Sequence, residues 1–192
     1  MREVIKLGLI LLLITSVAAI VLGLTNSVTE DVIQEVEAEA SKEARLEALP
    51  QADSFKQIDE DIFSKIKEEN SKVVEVYVGY SGEEVVGYAI KTATPGYGAN
   101  IEVITGISVD NQLTGMKVGS HQETPGLGAN ATKAEFQNQY KDKSTDEEIV
   151  VVKTPPSKDN EIQALTGATI SSNAVTDGVN IAREIYNSIL AE

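Results

Sequence analysis

The chain has 192 residues and a net charge of −14, from 16 Lys and Arg against 30 Asp and Glu. Affinity for nucleic acid comes from Lys and Arg displacing counterions from phosphates, so a chain this acidic excludes nucleic acid as a partner. With no cysteine and one histidine, His121, it also lacks the ligands of a disulfide framework, a thiolate zinc or iron–sulfur site, or a paired-haem site.

Residues 7–24 carry no charge and only Thr15 and Ser16 as polar side chains. At about 1.5 Å per residue they reach about 27 Å, close to the hydrocarbon thickness of a bilayer. Arg2 and Lys6 precede this run, and Asn26, Glu30 and Asp31 follow it. The positive-inside rule then keeps residues 1–6 in the cytoplasm and carries the remainder across the membrane. Ser16-Val17-Ala18 satisfies the small-x-small rule of a signal peptidase but lies in the middle of the apolar run, so the reading is a retained transmembrane helix over 7–25. Arg2, Lys6 and Glu3 give residues 1–25 a net +1, which leaves −15 for the exported part.

Residues 26–52 read as a membrane-proximal helical stalk. Between 28 and 48 there is no Gly or Pro, Ile33, Val36, Ala40, Ala44 and Ala48 recur at helical spacing, and Pro50 ends the pattern. A domain over 53–192 follows. Its first element is predicted as a helix from Asp53 or Ser54 to about Asn70, with Phe55, Ile58, Ile62, Phe63 and Ile66 on one face. From Val73 the period changes to two, with Val74, Val76 and Val78 alternating against Glu75 and Tyr77. The Ser81-Gly82 turn and the return over Val85 to Thr92 make a hairpin. Ile101 to Val109, a turn at Asp110-Asn111, and Leu113 to Val118 make another, so these four segments predict one antiparallel sheet. Residues 131–140 read as helical and Ile149 to Lys153 as a strand. Ser172 to Leu190 reads as a terminal helix with Val175, Val179, Ala182, Ile185 and Ile189 inward. The fold class is α+β, an antiparallel sheet with flanking helices.

Two segments are richer in Gly and Thr than a scaffold needs. Leu165-Thr166-Gly167-Ala168-Thr169-Ile170-Ser171-Ser172 sets small residues and hydroxyls before a helix, where unpaired amides and the positive dipole end accept a phosphate. Ser171 or Ser172 is equally compatible with a plain N-cap, although a cap leaves Thr166 to Thr169 unexplained. The other segment, His121-Gln122-Glu123-Thr124-Pro125-Gly126-Leu127-Gly128, contains an ordinary Pro-Gly turn. Its carboxylate, hydroxyl, imidazole and Leu127 between glycines also suit the edge and face of a flat aromatic ligand.

Together these motifs resemble the FMN-binding domains. Thr166-Gly167-Ala168-Thr169 with Ile170-Ser171-Ser172 resembles their flavinylation motif, and the His-x-Glu-Thr-Pro-Gly-Leu-Gly loop resembles that of the G subunits of Rnf complexes. The C subunits of sodium-pumping NADH:quinone oxidoreductases carry similar elements. The likeness extends to the amino-terminal apolar helix, Ala48-Leu49-Pro50, and the Tyr97-Gly98 turn before Ile101.

The resemblance implies FMN joined through its phosphate to the Thr169 hydroxyl by a magnesium-dependent flavin transferase of the ApbE type. Thr166, Gly167, Ala168, Ser171 and Ser172 would surround the phosphate end. His121, Glu123, Thr124, Leu127 and Gly128 would approach the isoalloxazine. Gln163 stands where the family motif often has an acidic residue, with Glu161 the nearest acid. His121 is open to two roles, a proton donor to the flavin or a structural imidazole. The implied function is an electron relay in a single-pass subunit of the inner cell membrane. It would work beside the other membrane and iron–sulfur subunits of an ion-translocating ferredoxin:NAD⁺ oxidoreductase. No catalytic residue and no metal ligand is assigned. A stand-alone flavin reductase component and a non-redox, membrane-anchored binding module are the alternatives.

Overall fold

The computed structural model describes residues 1–191, so residue 192, the last of the predicted domain, lies outside the described residues. Two units are distinguished, Met1–Ser41 and Lys42 onward.

The first unit belongs to helix α1 (Arg2–Ala48). Within it the stretch Arg2–Glu30 is long and apolar enough to cross a membrane, and its leucines, isoleucines and valines are exposed. Thr15 Oγ1 donates to Leu11 O at 3.0 Å, and Thr25 Oγ1 to Val21 O at 2.9 Å. A hydroxyl turned back onto its own helix needs no water, which suits a lipid environment.

The second unit takes in the last turns of α1. Its sheet runs β1 (Ser54–Gln57), β2 (Val73–Ser81), β3 (Glu84–Pro95), β4 (Asn100–Ser108), β5 (Leu113–Val118), in that spatial order and antiparallel throughout. The hairpin turns fall where the sequence puts them. Gly82 and Asn111 take left-handed φ values of 61° and 60°, a conformation that Gly and Asn adopt at little cost.

Three expectations are corrected. The helix expected from Asp53 begins only at Glu60, as α2 (Glu60–Glu69); residues 54–57 pair instead with β2, Ser54 opposite Tyr80 and Gln57 opposite Tyr77. Phe55, Ile58 and Ile62 fit a helical face by spacing, but the open edge of β2 offers residues 54–57 a full ladder of hydrogen bonds. Residues 131–140 form 3₁₀ turns around one short helix, α3 (Ala134–Gln137), and not a continuous helix. Strand β6 (Val150–Val152) has a parallel partner, β7 (Glu161–Gln163), that the sequence pattern did not reveal.

The terminal helix α4 (Thr169–Ile185) starts three residues earlier than expected and ends in a π-type turn at Tyr186–Leu190. It lies across β3 and β4, where Val175, Val179, Ala182 and Ile185 bury against Ile90, Ile101, Val103 and Ile107. Two buried threonines on β3 fix its register: Thr92 Oγ1 donates to Gly178 O at 3.2 Å and Thr94 Oγ1 to Ala174 O at 2.6 Å. Asn180 binds both backbone groups of Ile149 at 2.9 Å, which ties the approach to β6 onto the same helix. Elsewhere on the sheet, Thr114 Oγ1 donates to Ala48 O, Arg45 stacks 4.1 Å from the Tyr77 ring centroid, and Leu49 is fully buried over Gly79 and Gly87. The Ala48-Leu49 step is thus part of the compact unit, which begins at Lys42.

Candidate functional site

Three segments converge at the amino end of α4: the turn 96–99 between β3 and β4, the loop 119–128 after β5, and the turn 165–168 after β7. Glu123, on the second of these, bonds the first and the opening turn of α4. Its Oε1 accepts the backbone amides of Tyr97 at 2.8 Å and Gly98 at 3.0 Å, and its Oε2 accepts the Ser171 hydroxyl at 2.5 Å. Only 6% of Glu123 is exposed. Burial pushes its carboxyl up, but the donations from Ser171, Gly98 and Tyr97, with His121 beside it, outweigh burial and hold the group below its ordinary value. The junction is tight enough that a Cβ at position 128 would run into both Glu123 and Ser171, so only Gly128 allows the loop to close on α4.

The start of α4 is built by its own serines. Ser172 is buried; its amide and its hydroxyl both donate to Ala168 O, at 3.0 and 2.9 Å, and its hydroxyl accepts the Leu165 amide at 2.9 Å. Gly167, at φ +74°, supplies the left-handed step that this turn requires. Ser171 is committed to Glu123. The N-cap position falls on Ala168, which makes no side-chain capping bond, and the first turn of α4 carries no acidic residue. Neither serine therefore caps the helix, and its amino end keeps first-turn amides and a positive dipole end without a side-chain cap, the arrangement that receives an anion.

A cavity of about 480 Å³ opens at this point, a size typical of small-molecule sites. Gly167, Ala168, Thr169 and Ser171 line it from the α4 side, and Glu123, Thr124, Leu127 and Gly128 from the loop. Thr169, half-buried, is the first residue of the helix. Two further lining residues, Tyr97 and Ile170, stand in the sequence only as parts of a turn and of a motif. Tyr97, Ile170 and Leu127 are 71%, 55% and 44% exposed, which gives the cavity an apolar rim. The donor set and shape fit FMN: dipole and amides for a phosphate at Thr169, apolar side chains for a flat ring.

Three predicted site residues do not line this cavity. His121 is half-buried and its Nδ1 accepts the Glu123 amide at 3.3 Å. Ser172 lies beneath the helix start. Thr166 lines a separate cavity of about 380 Å³ with Asn130, Lys133, Gln139 and Gln163.

Comparison with known proteins gives the family. The FMN-binding domain family matches residues 96–184, from the Tyr97 turn through α4. The G subunit of the Na⁺-translocating ferredoxin:NAD⁺ oxidoreductase complex of Acetobacterium woodii is 46% identical over 98% of this chain and 94% of its own length. The G subunit of the ion-translocating oxidoreductase complex of Methanosarcina acetivorans is 37% identical over 94% of this chain and 93% of its own. In structure, the C subunit of the Na⁺-translocating NADH-quinone reductase from Parabacteroides distasonis superposes with a TM-score of 0.64, at 17% identity, covering 83% of this chain and 96% of that one, a likeness of fold. With near-complete coverage by G-subunit relatives and an FMN-binding domain around the cavity, the chain belongs to the G-subunit family of the ion-translocating Rnf oxidoreductase complexes.

Proposed function

We propose that this chain is the covalent flavin carrier of its complex, an electron relay on the far side of the membrane from its amino terminus. The observation that carries the reading is Thr169: it opens α4, its helix end has no side-chain cap, and it lines the cavity. Its hydroxyl oxygen forms an ester with the phosphate of FMN, with net loss of one water and no change of oxidation state. The ApbE-type flavin transferase installs the group. Gly167 and Ala168 leave room for the phosphate, the first-turn amides of α4 donate to it, and Leu127 and Ile170 present apolar surface to the ring. When bound, FMN supplies transfer of one or two electrons.

An ester is the physical answer to exposure. A cofactor held at nanomolar affinity, about −12 kcal/mol, still dissociates and does not return from an unbounded volume that lacks it. Residues 1–6 lie in the cytoplasm, 7–25 cross the inner cell membrane, the stretch from 26 carries the chain away from it, and the compact unit that begins at Lys42 holds the flavin. The redox partners are the other membrane and iron–sulfur subunits, with ferredoxin and NAD⁺ handled outside this chain, and the complex moves Na⁺ or H⁺, the ions named for the relatives from Acetobacterium woodii and Clostridium ljungdahlii.

The test is an intact mass of the full chain co-expressed with the transferase. A gain of about 438 Da, FMN less water, mapped to Thr169 is the expected result. Thr169→Ala lacks the gain while its thermal midpoint stays within about 2 °C, because only the hydroxyl and methyl of a half-buried side chain are removed. An unmodified parent chain, from cells whose transferase modifies a control protein, refutes the proposal. A gain that survives in Thr169→Ala moves the attachment elsewhere, with Thr166 the next candidate.

A further inference from the structure

Of the six tyrosines in the chain, five have a partner for the ring. Tyr77 lies under Arg45 and Tyr80 under Lys56, at 4.1 and 4.9 Å from the ring centroids. Tyr88 and Tyr186 meet edge to face at 5.9 Å, and buried Tyr140 meets Phe136 at 5.7 Å. Among the described residues Tyr97 alone has none, and it is 71% exposed at the cavity rim.

Its backbone, by contrast, is fixed. The amides of Tyr97 and Gly98 both donate to the buried Glu123 carboxylate, and the Gly96 amide closes the turn onto Ala99 O at 2.8 Å. A side chain at position 98 would collide with the backbone of Gln122, so the turn lies flat against the loop that forms the rest of the cavity. A rigid turn, anchored on a buried charge, that holds out an unpartnered aromatic ring at the apolar rim of the cavity is built for contact with something the chain does not itself contain.

We propose that Tyr97 is the aromatic wall of the flavin site, its ring lying on the isoalloxazine tethered at Thr169, with Glu123 as the positioning residue that sets the turn. The inference rests on the flavin reading above. Offset stacking of two flat π-systems is the arrangement such a ring favours. The ligand class is a fused aromatic ring system whose phosphate end reaches the start of α4.

Flavin fluorescence reads this contact directly. An excited flavin takes an electron from a touching tyrosine ring and returns it, which shortens its lifetime; phenylalanine stacks equally well but is too hard to oxidise. The full chain carrying its flavin is compared with Tyr97→Phe and Tyr97→Ala, each checked for the same mass gain and the same far-UV circular dichroism. The expected result is a lifetime several-fold longer in both variants. The phenylalanine change preserves shape and packing, so a purely structural Tyr97 would not alter the lifetime. Equal lifetimes in parent and Tyr97→Phe at full FMN occupancy would overturn the proposal. Absence of the mass gain from the parent chain would instead refute the covalent reading. Free FMN titrated into the same chains then decides on Tyr97: quenching lost in Tyr97→Phe supports the wall, and identical lifetimes exclude it.

Discussion

Replacing Glu123 should separate the clamp from the rest of the fold. Glu123→Ala removes three charge-assisted hydrogen bonds, from Tyr97 N, Gly98 N and Ser171 Oγ. At about 2 kcal/mol each these would total about 6 kcal/mol. Two of the donors lie in a partly exposed turn that water reaches once the carboxylate is gone, so their share falls to a few tenths each, while buried Ser171 loses its acceptor in full. Adding the space left by the side chain, the expected loss is about 3 kcal/mol. Glu123→Gln keeps an acceptor for the two amides and costs about 1–2 kcal/mol, the charge-assisted part.

The sign of the pH dependence follows from the lowered carboxyl. A group whose folded value lies below its unfolded value stabilises the fold above the unfolded glutamate range, and the contribution is lost as pH falls through the folded value. The parent chain should therefore lose stability between about pH 5 and the folded value, and Glu123→Gln should lose less over that window. Urea unfolding of the full chain in detergent micelles, followed by its tyrosine emission in the absence of any tryptophan, measures both effects. A Glu123→Ala variant within about 0.5 kcal/mol of the parent, or a Glu123→Gln variant with undiminished acid sensitivity, would refute the assignment of Glu123 as the clamp.

Two other substitutions test the frame around the site. Leu49→Ala empties a fully buried position over Gly79 and Gly87 and should cost about 3 kcal/mol in urea unfolding, with the FMN mass gain preserved. Thr94→Ala removes the 2.6 Å donation to Ala174 O but leaves that carbonyl inside α4, so a loss of about 1 kcal/mol is expected in the same assay.

What the sequence makes legible follows its local signals. Period-two alternation in β2 to β5, and turn residues at Gly82 and Asn111, locate four strands to within a few residues because each strand pairs with its neighbour in sequence. Strand β1 is invisible in that way: its four residues share the helical spacing of Phe55 and Ile58, and only the edge of β2, from Tyr77 to Tyr80, decides their state. The parallel pair β6 and β7 is too short for any period. Both Gly- and Thr-rich segments stand out as candidate site loops, and they do meet. The bond that joins them, Glu123 to Ser171 across 48 positions, has no local signature, and neither has the ring left standing at Tyr97.

The exposed rim gives a physical reason why a relay and an ester go together. To hand electrons to a neighbouring protein, a bound ring must keep an edge near the surface, and Tyr97, Leu127 and Ile170 leave such an opening. At about 25 cal/mol per Å², each 100 Å² of apolar ring surface left uncovered forgoes about 2.5 kcal/mol. That is nearly two orders of magnitude in dissociation constant. A site open enough for fast hand-over is therefore a weak site, and deepening it would bury the edge that the partner must approach. The proposed attachment at Thr169 would remove the conflict, because retention would no longer depend on burial. The cavity then has only to orient the ring, which a turn anchored on a buried carboxylate and an unpartnered aromatic side chain can do.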